Sequence, residues 1–251
     1  MTGANLFSAI VNASKILRDL EDSGLQVKVS TDFFAYRKMR NEQGGRLPLY
    51  PVFDVSSSFI DASNAFWVSA TNEQNELVHT QVVRLLDLRE TSLQDHLDQH
   101  RHKYLSPGMV AEPDEIIFAP LRSLQEITGR VCYHGEFWLK DGERSLRGQG
   151  YTELMSRLLF EIALKIWSPD YMFGFVPLKL AMKGIPFRYG YSRCEVGAWL
   201  RNEKEIAVEE AFVWMSNSDL EEYLTTPARV ASPEEKFFSS RENLDRLPMR
   251  A

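Results

Sequence analysis

The segment from Tyr151 to Trp167 constrains this fold more than any other part of the chain. Tyr151, Leu154, Met155, Leu158, Leu159, Ile162, Ala163 and Ile166 recur at helical spacing and form one apolar stripe. Glu153, Arg157, Glu161 and Lys165 lie four apart on the other face and alternate in sign, which supports the helix through i,i+4 pairs. Arg147-Gly148-Gln149-Gly150 precedes the helix and Ser168-Pro169 stops it. Strand-like runs flank it, Arg130 to Leu139 before and Tyr171 to Val176 after. An apolar stripe this long has to be buried against another layer, and its neighbours offer a sheet. The chain therefore reads as mixed α/β, with one dominant helix wedged between strands.

The rest of the sequence fills in that plan. Residues 4–21 read as a helix with Leu6, Phe7, Ile10, Val11, Ser14 and Leu17 on one side, stopped by Ser23-Gly24. Leu25 to Ser30 alternates as a short strand, and Phe33 to Glu42 reads as a second helix ended by Gly44-Gly45. An ordered loop then runs to Asn64. From Ala65 the period becomes two: Phe66 to Ala70 and Glu76 to Val83 flank Asn72-Glu73-Gln74-Asn75 as a hairpin. Residues 92–104 read as a polar helix, and Ile116 to Leu121 fits strand or helix equally. Leu178 to Lys183 is expected as a short helix, with a turn at Gly184-Ile185-Pro186. Phe187 to Leu200 and Ile206 to Met215 are expected as strands, and Asp219 to Leu224 as a last helical turn. The organisation expected is an N-terminal helix and strand over 1–30, a main domain over 31–224 and a polar tail over 225–251.

Composition narrows the function classes. The 251 residues are 44% hydrophobic and 25% charged, which excludes wholesale disorder. A net charge of −6 without any basic run argues against nucleic acid and anionic membranes as partners. No stretch approaches the roughly 18 consecutive apolar residues of a membrane span. Two cysteines, Cys132 and Cys194, are too few for a disulfide framework or a structural zinc site, and a reducing cytoplasm is expected. His96 and His100 share a helix face, but the Glu that follows the first His in a zinc-protease helix is missing, so no metal is expected.

Arg147-Gly148-Gln149-Gly150-Tyr151-Thr152 is the segment that points to chemistry. Glycines between a strand and a helix let backbone N–H groups converge on an anion, and the helix N-terminus adds partial positive charge. That combination suits phosphate or pyrophosphate. The segment is neither GxxxxGK[ST] nor a full GxGxxG. Arg147-x-x-Gly150-x-Thr152 resembles the coenzyme A pyrophosphate loop of the GNAT (N-acetyltransferase) superfamily, Gln/Arg-x-x-Gly-x-Gly/Ala, with Thr152 departing at the last position. The resemblance covers roughly residues 30–215. The hairpin at 65–86 resembles that superfamily's early strands, and Tyr171 to Val176 the strand that splays from its neighbour to admit the thioester.

The resemblance implies a GNAT-like mixed, largely antiparallel twisted sheet flanked by helices. It also implies transfer of an acyl group from acetyl-CoA or a longer acyl-CoA to a small-molecule amine. Arg147, Gly148, Gln149, Gly150, Tyr151 and Thr152 would hold the donor. Glu136, on the strand before the loop and among aromatic residues, would be the base. His134 lies two residues away, on the same face by strand alternation, as a second candidate. Tyr191 or Tyr189 would protonate the leaving thiolate.

Tyr36-Arg37-Lys38, Tyr50 to Asp54 and Val83 to Leu86 also resemble the front half of the acyl-homoserine-lactone synthases and the related N-acyl amino acid synthases. Glu136 falls at the Glu of their Glu-x-x-Arg, but Leu139 stands where the Arg belongs. That reading implies an acyl carrier protein as donor partner and S-adenosylmethionine or an amino acid as acceptor. A third reading is a non-catalytic acyl-CoA-binding protein.

Overall fold

A computed structural model describes residues 3–108, 110, 112, 115–140 and 150–227, with side chains from Asn12 onward. Arg147, Gly148 and Gln149 of the glycine loop lie outside the described residues, as does the tail from residue 228. The elements in chain order are α1 (Gly3–Glu21), β1 (Gln26–Ser30), α2 (Phe33–Glu42), β2 (Ala65–Thr71), β3 (Leu77–Leu88), α3 (Leu93–His100) and β4 (Ile116–Phe118). They continue with α4 (Arg122–Glu126), β5 (Gly129–Leu139), α5 (Tyr151–Trp167), β6 (Tyr171–Pro177), α6 (Leu178–Ala181), α7 (Ile185–Tyr189), β7 (Arg193–Arg201), β8 (Glu205–Ser216) and α8 (Asn217–Thr225).

Among the described residues eight strands form one sheet in the order β1-β2-β3-β5-β6-β8-β7-β4. Every neighbouring pair is antiparallel except β5–β6. This is the expected mixed, largely antiparallel sheet, and helices cover both of its faces. On one face α5 buries Leu154, Met155, Leu158, Leu159 and Phe160 against Phe66, Val83, Cys132, Met172 and Val213. Each such side chain removed from water contributes about 1.5–3 kcal/mol, so a charge at Leu158 would break the layer. On the other face Phe33 and Tyr36 of α2, Val52 and Phe53 of a short 3₁₀ turn, and Leu93 and Leu97 of α3 pack on Trp67, Tyr133, Phe173 and Phe212.

The helix α5 is buried on more than its apolar stripe. Ile16 and Leu20 of α1 join the same core, and α8 closes over the other side. Arg157 and Glu161 are consequently covered although they belong to the charged face. Arg157 donates to Glu153 and to the Thr226 carbonyl and lies over the Tyr223 ring, while Glu161 accepts from Asn12. Ile166, expected in the stripe, is 57% exposed instead.

The expected strand from Phe187 to Leu200 divides in two. Ile185–Tyr189 forms α7, bracketed by Gly184 and Gly190 in the left-handed region with Pro186 in its first turn, and the strand starts only at Arg193. A proline-started helical turn between two glycines outweighs the β-propensity of Phe187 and Tyr189.

Candidate active site

The one parallel pair positions the site. β5 and β6 are paired only over Val131–Tyr171, Cys132–Met172 and Tyr133–Phe173. Asp170 pins the closed end: its Oδ2 accepts from the Arg130 N–H at 2.7 Å, and its own N–H donates to the Arg130 carbonyl at 2.7 Å. Beyond Tyr133 and Phe173 the strands part. Gly174 stands at the fork, where a Cβ would lie 2.9 Å from the His134 carbonyl oxygen and 3.4 Å from the Tyr191 hydroxyl. A cavity of about 380 Å³ lies at the opening, lined by residues from both sides of the sheet, His134 and Tyr191 on one and Arg40 and Glu136 on the other.

The fork is shaped by a bulge on β5. Thr80 pairs with Trp138 and Val82 with Gly135, so β5 carries one residue more than β3 at this point. Glu136 takes up the extra residue with φ +55°, a left-handed conformation costing about 1–2 kcal/mol for a side chain of this kind. The bulge overturns the expectation that Glu136 and His134 share a face. Glu136 turns toward α2, whereas His134 points to the α5 side and packs against Phe160 and Tyr191.

Once turned, the Glu136 carboxylate is held tightly. Its Oε2 accepts from Arg40 Nε at 2.5 Å, Arg46 Nη2 at 3.0 Å and Tyr36 Oη at 3.4 Å. Arg40 also donates to the Leu47 carbonyl. Arg46 donates to Gln43 and Thr80 and lies over the Trp138 ring. These contacts tie α2, the 43–47 segment, β3 and β5 into one wall of the cavity.

The opposite wall is a directed hydrogen-bond chain. Gln81 Nε2 donates to the Met155 carbonyl in the first turns of α5 at 2.6 Å, so its Oε1 faces His134 Nε2 at 3.1 Å. His134 must then carry its proton on Nε2. Its Nδ1 is left to accept from the Tyr191 hydroxyl at 3.2 Å. Burial lowers the His134 pKa to about 3 and pushes the Tyr191 phenol well above its ordinary value, so both stay neutral at physiological pH. Tyr189 also lines the cavity, its ring 4.3 Å from that of Phe137.

Helix α5 starts beside this wall. Gly150 is its N-cap with φ +82°, a conformation glycine adopts without strain, and a glycine brings no capping side chain of its own. Its carbonyl accepts from the Glu153 N–H at 3.2 Å, which starts the helix.

The structure brings Glu136, His134, Tyr189 and Tyr191 to one cavity. Sequence reasoning missed Arg40, Arg46, Gln81 and Glu210. Glu210 left a signal: it has the strand parity of Val208, Phe212 and Trp214, so a carboxylate falls on a core-facing row. The histidine helix face is not fully solvated, because His96 Nε2 meets the Tyr104 hydroxyl at 2.8 Å.

Several solved structures are similar to this chain at low sequence identity. The chain is similar to the spermidine N-acetyltransferase of Vibrio cholerae in complex with CoA and spermine, with 7% identity over 79% of this chain and 98% of that one and a TM-score of 0.41. It is similar to Arabidopsis thaliana NAA60 in complex with acetyl-CoA, with 9% identity over 76% and 98% and a TM-score of 0.44. It is also similar to AAC(6')-Ib in complex with paromomycin and acetyl-CoA, with 10% identity over 79% and 96% and a TM-score of 0.41. No family model and no curated protein sequence matches the chain. Among the described residues no helix is long and apolar enough to cross a membrane.

Proposed function

We propose that this chain is an acyltransferase that moves an acyl group from an acyl-coenzyme A to an amine. The fork between β5 and β6 carries the reading. It is a cavity where two strands part, lined from both layers, by His134 and Tyr191 on the α5 side and by Arg40 and Arg46 on the other, and it offers room for a thioester and an amine to meet. The glycine-led start of α5, with Tyr151 and Thr152 in its first turn, supports an anion site for the donor pyrophosphate, together with Arg147, Gly148 and Gln149.

In the cavity, Tyr191 is the donor nearest the fork and the candidate for delivering a proton to the departing sulfur, with Tyr189 on the same wall. His134 holds the Tyr191 hydroxyl in place and stays neutral while doing so. The hold of Arg40, Arg46 and Tyr36 on Glu136 suits that carboxylate to shaping the wall.

Calorimetric titration with coenzyme A, acetyl-CoA, a long-chain acyl-CoA and S-adenosylmethionine tests the proposal. The coenzyme A compounds are expected to bind and to raise the melting temperature, since a ligand of the folded state alone must stabilise it. Gly150→Val, which forces a β-branched residue into the left-handed region at the helix start, is expected to abolish that binding without unfolding the chain. Binding of S-adenosylmethionine alone would favour the lactone-synthase-like reading, and silence from all four would reject a donor site.

A further inference from the structure

The cavity lining carries charges of both signs. Arg40 and Arg46 share the single carboxylate of Glu136, which leaves one positive charge over. Glu210 of β8, 8% exposed, also lines the cavity, outside that cluster. Its Oε2 accepts from the Trp199 indole N–H at 2.9 Å, and no cation pairs with it among the described residues. Tyr50, Tyr104, Tyr133 and Phe175 line the cavity with it; the Tyr104–Tyr133 ring centroids lie 5.3 Å apart and those of Tyr133–Phe175 6.0 Å apart.

A carboxylate in such a place is costly unless something cationic visits it. A glutamine would satisfy Trp199 as well and without a charge. Burial raises the Glu210 carboxyl pKa, the direction that makes a carboxylate a better proton acceptor. The titratable groups facing it are the phenols of Tyr50 and Tyr133. Burial raises both, so they keep their protons while Glu210 titrates.

We infer that Glu210 is the acceptor site: it binds the ammonium of a cationic primary amine whose neighbouring carbon skeleton is aromatic or apolar, and it takes one proton from that ammonium. The inference rests on the acyl-transfer reading. The excess positive charge of Arg40 and Arg46 repels the ammonium, which leaves Glu210 as the lining carboxylate that can take it. An N–H bond breaks there and an O–H bond forms on Glu210. The freed nitrogen lone pair forms the N–C bond at the thioester carbonyl. The C–S bond breaks with its electrons on sulfur. Tyr191 gives its proton to sulfur and takes up the second proton shed by nitrogen, and Glu210 returns its own proton to solvent.

Glu210→Gln keeps the shape and the Trp199 hydrogen bond, and it is tested with phenethylamine and 2,2,2-trifluoroethylamine as acceptors. Acetyl-CoA affinity should be unchanged. Phenethylamine binding, by calorimetry without donor, should weaken roughly 10–100-fold, the equivalent of one charge-assisted hydrogen bond. Its acetylation at neutral pH should fall about 10²-fold or more, and recover as pH approaches the amine's own pKa. Trifluoroethylamine, already unprotonated at neutral pH, should lose only a few-fold. Equal losses for the two amines, or unchanged phenethylamine binding, would overturn the assignment. In the wild-type protein 2-phenylethanol, the neutral counterpart, should bind at least about tenfold more weakly than phenethylamine, and equal affinity would overturn it as well. If acetyl-CoA fails to bind the wild type, the acyl-transfer reading falls, while the donor-free amine titration still decides Glu210.

Discussion

The Arg40 guanidinium and the Glu136 carboxylate meet at 2.5 Å with side chains only 4% and 2% exposed, although 96 residues separate them in the chain. This contact docks α2 against the bulged end of β5 and fixes one lip of the cavity. Removing the carboxylate would strand two guanidinium groups away from water.

Glu136→Gln is therefore expected to act first on stability, by about 3–5 kcal/mol, the usual effect of breaking a buried pair. Denaturant unfolding measures it. If the variant is as stable as the wild type and loses turnover alone, Glu136 is the base and not a structural anchor.

Tyr191→Phe removes the hydroxyl and leaves the ring packed between His134 and Phe160. The expected result is a kcat lower by roughly 10²–10⁴-fold if Tyr191 protonates sulfur, with donor affinity nearly intact. The stability change should stay near 1 kcal/mol for one lost hydrogen bond. Steady-state kinetics beside calorimetry separates these effects, and an unchanged kcat would move the role to Tyr189.

Acid should weaken the fold through its buried histidines. Burial lowers His79 and His134 to about 3 and His96 to about 4. Free histidine protonates near 6.5, so below that value the unfolded chain binds more protons than the folded one, and stability falls as pH falls toward 3. Glu161 and Glu210, both raised by burial, act with the opposite sign: their contribution is lost as pH rises through their raised values. His79→Asn keeps a donor toward the Trp138 carbonyl, where His79 Nδ1 now sits at 2.9 Å, and removes the titration. The melting temperature of that variant should vary less between about pH 7 and pH 5 than that of the wild type. Parallel slopes would show that His79 is not neutral in the fold.

The sequence by itself determined the elements whose signal is local. The limits of α2 and α5 follow from their caps and their 3.6-residue period, and the β2–β3 hairpin from alternation around a polar turn. Each pattern is complete within about 20 residues, so neighbours suffice to read it. Gly150 at the head of α5 was legible for the same reason, as a glycine between strand and helix; its left-handed φ of +82° is read from the structure.

Tertiary structure decided the rest. Strand alternation assigns Glu136 and His134 one face, but the bulge against β3 reverses one of them, and a bulge depends on the partner strand's register. The fork exists because β5 and β6 hydrogen-bond for three residue pairs and no further, which no property of either strand alone specifies. Glu136 and Glu210 are both glutamates on strands. One ends beside two arginines from a helix and loop some 90 residues earlier, the other among aromatic rings with an indole N–H. Their chemistry diverges because the energy of a charge depends on what surrounds it in space, and those surroundings are assembled from distant parts of the chain.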